Sequence, residues 1–311
     1  MSAASPIADL TYRGYDGPMN EADRRWWAIA KMTMRMGIKR KGFWVCSVLS
    51  GWYYVVMMAV FYFVDVLTAN IGTAQNQFLK TIVWKDQFVA GFSTAQLLLF
   101  IVAMIIGIGT IANDNRANAL LIYLSKPCTK VDYLVGKWVG LFIPLYCVAL
   151  VPSLVFYGYI AMSFRDYGSV SSDPWLPLQL LVMAALPAFL MASLCVGISS
   201  LFREGRLAGA TFAGVYFMTN LFTHMMAGVF IMVGESRVVR DLFYASVDGL
   251  SIAMAKFVCV TDGSSMIMEK GQQASNIGRP DAFLAILAFF GLSAFSVLVA
   301  WLRIKPVEVV G

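Results

Sequence analysis

The chain has 311 residues, 59% of them hydrophobic and 14% charged, with a mean hydropathy of +0.71. A soluble domain is about 45–50% apolar and about 25% charged, so the composition excludes a disordered chain, a collagen-like repeat and an ordinary cytosolic enzyme. The cysteines at 46, 128, 147, 195 and 259 form no CxxC pair and no ligand spacing, which removes zinc and disulfide frameworks.

Residues 1–19 are polar and carry Pro6, Gly14, Gly17 and Pro18, the composition of a poorly ordered tail. Asn20 can cap a helix with Glu21 and Asp23 in its first turn. Lys31, Arg35 and Lys39 recur every four residues beside an apolar stripe of Trp27, Ala30, Met34 and Ile38, with Trp26 next to it. This pattern predicts a cytoplasmic amphipathic elbow helix within residues 1–43, lying at the membrane interface. It reads either as a positive-inside anchor or as a contact for a cytoplasmic partner.

Six stretches then lack any Asp, Glu, Lys or Arg: 44–64, 88–111, 138–162, 178–202, 207–233 and 282–302, together 143 residues. Each reaches the roughly 20 residues a helix needs to cross the hydrocarbon. At 14% charge, chance would place about 20 charges in them. The expected fold is therefore all-α: a six-helix transmembrane domain over 44–302, followed by a short tail, 303–311. The first span follows more than 40 residues without an apolar run, so it reads as an uncleaved signal-anchor.

Lys and Arg number 16 in the N-terminal segment, the 112–137 loop, the 203–206 turn and the tail, against eight in the alternate loops. The positive-inside rule then puts both termini in the cytoplasm, with net charges of +8 inside and −2 outside, in the inner membrane of a cell. The basic surplus belongs to the membrane face and implies no nucleic-acid partner.

The loop between the second and third spans is the most informative segment. Asp114 or Asn115 can start a short helix with Ala119, Leu120, Tyr123 and Leu124 on one side, and Ser125-Lys126-Pro127 ends it. Thr129 then caps a second helix with Asp132 at its third position, a capping-box variant. Such a helix pair reads as a rigid knob for a partner or as a plain amphipathic connector.

Within the later spans, Gly205-xxx-Gly209 and Ala210-xxx-Gly214 can form a close helix seam, inside one subunit or between two. Pro144, Pro152 and Pro187 permit bends. Asn220 and His224, the only histidine, lie in a polar patch that reads as a transport path or as interhelical hydrogen bonding. One histidine with two adjacent methionines does not make a metal site. In the external loop 234–281, Leu242, Phe243, Val247, Leu250, Met254 and Phe257 recur at helical spacing, as an interfacial or re-entrant helix pair or a seat for a periplasmic partner. Gly263-Ser264-Ser265 and 271–278 read as flexible connections, and Cys259 has no disulfide partner outside the membrane.

The charge-free stretches hold no carboxylate or base for a proton or ion relay. The chain also lacks a GxxxxGK[ST] phosphate loop, a GxSxG elbow and an HExxH pair, so neither ATP hydrolysis nor catalysis is expected of it. Energy for transport would enter from a protein docked on the cytoplasmic face.

Asp114-x-Arg116-x-Asn118-Ala119-Leu120, with Tyr123-Leu124-Ser125-Lys126-Pro127 and Tyr133-Leu134-x-Gly136-Lys137, resembles the first cytoplasmic loop of ABC transporter permeases of the type-2 (type V) exporter family. The likeness is to the small permeases whose relatives serve gliding motility and nitrous oxide reductase maturation, and it covers nearly the whole chain. The long external loop departs from that pattern. The resemblance implies that the loop carries a coupling helix for a separate ATP-binding subunit, in which ATP and magnesium would reside. Asp114, Arg116, Asn118, Leu120, Tyr123, Ser125, Lys126 and Pro127 become candidate partner contacts, while Tyr133, Gly136 and Lys137 set the lead-in to span three. The implied assembly is two permeases with two ATPases, exporting an unidentified substrate. The alternatives are a non-transporting scaffold for cytoplasmic or periplasmic partners, or an intramembrane enzyme.

Overall fold

A computed structural model of the chain describes residues 25–69, 83–117, 128–164, 173–233, 237–262, 266–267, 275–276 and 278–304. Apolar runs in lipid must satisfy every backbone N–H and C=O internally, and the described chain is almost wholly helical. The helices are α1 (Arg25–Ile38), α2 (Lys41–Leu49), α3 (Trp52–Ala69), α4 (Trp84–Gly107), α5 (Gly109–Arg116), α6 (Lys130–Ser163), α7 (Leu176–Leu201), α8 (Gly205–Val233), α9 (Arg237–Phe243), α10 (Val247–Cys259) and α11 (Ala282–Arg303). Met266–Ile267 and Ser275–Asn276 pair as a two-residue antiparallel ladder, the second lying in a stretch expected to be a flexible connection.

Among the described residues, five helical stretches are long and apolar enough to cross a membrane: Lys41–Val66, Trp84–Arg116, Lys130–Ser163, Leu176–Leu201 and Ala282–Arg303. They cover five of the six charge-free segments, Phe202 at the end of the fourth excepted. The remaining segment, 207–233, falls in α8, whose 29 residues give ample length at about 1.5 Å per residue but include Thr219, Asn220, Thr223 and His224. Contacts between helix ends fix alternating directions. Phe61 packs on Trp84, and Lys85 pairs with Asp173 at 2.6 Å, at one end of the bundle. Asn115 reaches the Phe202 carbonyl, and Lys130 lies 4.5 Å over the Trp301 ring, at the other.

α1 occupies the stretch where the amphipathic helix is expected, and it packs closely along α6. Glycines at 136 and 140 remove side chains from one face of α6 so that α1 can lie against its backbone. A Cβ at Gly136 would come within 2.6 Å of the Trp26 carbonyl oxygen, and one at Gly140 within 2.7 Å of Thr33 Cβ. The buried face of α1 is accordingly Ala30, Thr33 and Gly37. Trp27, expected in the apolar stripe, is 41% exposed.

The first span is broken at Ser50-Gly51, opposite Pro152 of α6. Proline lacks the N–H that would bond the carbonyl four residues earlier. The Val148 carbonyl so released accepts from Ser50 Oγ at 3.4 Å, a donor shared with Ser47 O at 2.7 Å. A break in the first span thus meets a proline in α6.

The loop after α8 returns into the bundle as the α9–α10 pair, matching the helical spacing of its apolar residues. Val247, Leu250, Ala253 and Met254 are buried in the main core, while Ala255 and Cys259 join a second aromatic core around Phe88 and Phe156. Thr261, just past α10, donates to the Asp86 carboxylate at the start of α4. Ser246 caps α10 by accepting from Gly249 N at 2.9 Å.

Gly140→Leu is expected to lift α1 off α6, at a cost of about 1–3 kcal/mol for overpacking. Limited trypsinolysis of the purified protein should then cut several-fold faster after Lys31 and Arg35. Gly158→Leu, at a position with nothing within 4 Å, should leave the rate unchanged.

Candidate functional site

The end of the bundle that leads into residues 118–127 is built around a charge pair. Lys137 and Tyr133 stand one turn apart on α6, and both are buried. Lys137 Nζ lies 2.8 Å from Asp114 Oδ2, and the two side chains are 3% and 19% exposed. The same carboxylate oxygen accepts from Tyr133 Oη at 2.7 Å, and Lys137 Nζ also donates to the Thr110 carbonyl at 3.1 Å. An ammonium buried to this degree needs both charge compensation and hydrogen bonds. Asp114 and Thr110 supply them, tying the C-terminal end of α5 to the first turns of α6.

A second device fixes the break between α4 and α5. Ser199 Oγ of α7 donates to the Ile108 carbonyl at 2.6 Å and accepts from the N–H groups of Ile111 and Ala112, each at 3.0 Å. A hydroxyl inserted into the helical ladder in this way redirects the helix while leaving no polar group orphaned. Around it, Gly107 lets α4 approach Cys195, where a Cβ would come within 2.7 Å of the sulfur. The Asn113 side chain fills the space left by Gly109 and Gly205, and Asn115 Nδ2 donates to the Phe202 carbonyl at 3.3 Å. Three consecutive side chains, Asn113, Asp114 and Asn115, therefore bind α8, α6 and the end of α7 respectively.

This is the segment whose motif the sequence singled out, and the whole chain can be set beside known families. A family model described as ABC-2 family transporter protein matches residues 27–302. The chain belongs to that family. No curated protein matches it. ABC-2 chains are membrane components without a nucleotide-binding motif of their own, and they partner an ABC ATP-binding subunit.

In this ABC-2 chain, the expected loop residues divide into two groups. Asp114 and Arg116 are described; Asn118, Leu120, Tyr123, Ser125, Lys126 and Pro127 lie outside the described residues. Asp114 faces inward, to Lys137 and Tyr133. Arg116 is exposed and makes no ion pair or hydrogen bond among the described residues. Asp114 and Asn115 close α5 instead of starting a helix, because their side chains are engaged by neighbouring helices. The second helix starts as expected: Thr129 accepts from Asp132 N, and Asp132 Oδ2 accepts from Thr129 N, each at 3.1 Å.

The glycine seam of α8 is internal at its start. Gly205 faces Asn113 and Gly109, Gly209 lies by Ile108, and Gly214 has nothing within 4 Å. His224 is exposed and Asn220 half-buried. Below them is a carboxylate that the charge map placed in an external loop. Asp248 Oδ2, in the first turn of α10, accepts from Tyr216 Oη of α8 at 2.5 Å, and Tyr216 stacks on Phe100 with centroids 3.7 Å apart. Burial pushes the Asp248 carboxyl up to about 6, against the Tyr216 hydrogen bond and the nearby Asn220 amide, which favour the anion. Its Oδ1 and Asn220 Nδ2 have no hydrogen-bond partner among the described residues. The charge-free stretches hold no carboxylate, as expected; the external-loop helix α10 brings Asp248 against Tyr216 of α8. Further along α10, buried Lys256 donates to Tyr244 Oη at 2.9 Å and to the Asp262 carbonyl at 3.1 Å. Burial pulls its pKa down to about 8.

Ser199, Asn113, the Gly136–Gly140 face and the Tyr216–Asp248 contact were not singled out from sequence for these roles. Gly136-xxx-Gly140 carried a readable small-residue signal. Ser199 sits in an ordinary Ser-Ser pair and carried none.

Lys137→Met strands the Asp114 carboxylate. The loss of stability should lie near the lower end of the about 3–5 kcal/mol found for breaking a buried pair, since Asp114 keeps some water. Asp114→Leu combined with Lys137→Met should recover most of it. Thermal unfolding of wild type and the two variants is the check, and an equal loss in the single and double variants would mean that Lys137 acts by packing alone.

Proposed function

We propose that the chain is the permease subunit of an ABC exporter, in which two permeases and two separate ATP-binding subunits form the working unit. In this reading the chain crosses the membrane six times, α8 being the additional span, with both termini in the cytoplasm and α1 as the cytoplasmic elbow. The loop through residues 118–127 carries the coupling helix. Nucleotide-driven closure of the ATPase pair pushes on that loop, and the push reaches the spans through α5 and α6.

The observation that carries this reading is the clasp at Lys137, which joins both ends of the loop to the bundle while leaving Arg116 exposed and without a partner among the described residues. A loop held at both ends by buried bonds can transmit displacement, whereas a loop on flexible stems would absorb it. ATP and magnesium belong to the partner subunit, and this chain performs no chemistry. The closer likeness to the gliding-motility and nitrous-oxide-reductase-maturation permeases rests on the loop residues, and the substrate is not specified by them. Asn220 and His224, above the Asp248 carboxylate, are the residues proposed for a transport path. The α9–α10 hairpin covers the outer end of that path and offers the surface for a periplasmic partner.

Arg116→Glu and Lys126→Glu should each reduce co-purification of the permease with its ATPase at least several-fold, with the permease itself still monodisperse. Unchanged co-purification and unchanged transport-linked hydrolysis in both variants would show that this loop is not the docking site.

A further inference from the structure

Between α1, the broken first span and α6 runs an apolar groove of about 460 Å³. Met34 and Ile38 line one end, Gly51 and Pro152 lie midway, and Met58 and Val155 line the other end. The volume falls within the about 300–1,000 Å³ of small-molecule sites. Along α6 the lining extends from Ile143 to Val155, which at about 1.5 Å per residue is about 18 Å. One leaflet of a hydrocarbon core about 30 Å thick is about 15 Å deep. The groove therefore has the length of a single acyl chain lying along α6.

Its wall has little to give a polar guest. Ser47 Oγ donates to the Phe43 carbonyl at 2.6 Å, Trp44 Nε1 to the Ile38 carbonyl at 2.9 Å, and Tyr54 Oη to the Phe88 carbonyl at 3.1 Å. Each donor is thus used within the chain. The end at Met34 and Ile38 is different, because it opens at the basic α1–α2 corner. Lys31, Arg35, Lys39 and Lys41 are all exposed there, and none pairs with a carboxylate among the described residues. No charged residue lines the groove, its Met58–Val155 end included. An apolar slot about one leaflet long, with cations at one mouth that have no carboxylate partner among the described residues, is complementary to a lipid with an anionic headgroup, each cation near an anionic surface contributing about 1 kcal/mol.

We infer that this groove holds one acyl chain of an anionic glycerophospholipid from the bilayer, with its phosphate on the Arg35–Lys41 corner. The lipid fills the gap left by the Ser50-Gly51 break and fastens the elbow helix to the first span. The inference rests on membrane residence and not on transport, so it stands or falls separately from the proposed exporter role.

The test reconstitutes the full chain in vesicles of equal phosphatidylglycerol and phosphatidylcholine, extracts it in mild detergent, and counts co-purified lipids by mass spectrometry. Wild type should retain phosphatidylglycerol several-fold above its share. The combined Arg35→Gln, Lys39→Gln and Lys41→Gln variant should lose that preference. Val151→Trp, which fills the groove, should lower total retained lipid several-fold, while Val182→Trp, in a separate apolar groove beside Phe142 and Phe189, should change neither quantity. The wild-type preference needs no variant to fold, and its absence overturns the inference. A preference that persists in both the charge and groove variants also overturns it. So does a groove variant that changes the oligomeric state in place of the lipid count, since a second copy would then be the occupant.

Discussion

A lysine ammonium enclosed at the end of a helix bundle has to be answered by its surroundings, and the answer at Lys137 organises this end of the molecule. Asp114 supplies the opposite charge, the Thr110 carbonyl a second acceptor, and Tyr133 a further donor to the same carboxylate. Because one buried partner without the other is strongly destabilising, α5 and α6 cannot part without exposing both to water. The residues between them are thereby held by two helix stems that behave as one piece.

The same three turns of α6 serve several neighbours. Gly136 and Gly140 flank Lys137 in sequence and receive α1 on their bare backbone, while Trp138 Nε1 donates to Ser193 Oγ of α7 at 3.0 Å. From the α7 side, Ser199 holds the break that aims α5 at Lys137. Elbow helix, loop stems and spans thus meet at one short stretch of helix. The far end of the bundle is tied by a different set of polar contacts, Lys85 to Asp173 and Arg279 to Asp262, with Lys256 buried between Tyr244 and the Asp262 carbonyl.

Much of this was legible from residues alone because hydrophobicity is a one-dimensional signal. The absence of charge located five stretches that the structure shows as apolar helices of membrane-crossing length, and local capping chemistry located the start of α6 at Thr129 and Asp132. What failed to show was pairing across distance. Asp114 looked like a helix start because a short acidic side chain caps helices in isolation, whereas here its carboxylate is engaged by Lys137, 23 residues further on. Counting charge-free runs put Lys137 just outside a span and Asp248 in an external loop, and it could not show that each meets a partner on another helix. Trp27 of the expected stripe is exposed because α1 lays Ala30 and Thr33 on the glycine backbone of α6 and turns Gly37 to Ile106 of α4.

The central claim is that the Lys137 clasp carries force between the loop and the spans while leaving partner docking alone. The most direct measurement is the ratio of substrate moved to ATP hydrolysed in vesicles containing the permease with its ATP-binding subunit, for wild type and for the Asp114→Leu, Lys137→Met double variant. The account predicts that the double variant still co-purifies with the ATPase and hydrolyses ATP, but moves several-fold less substrate per ATP. An unchanged ratio in a variant shown to lack the pair would contradict it.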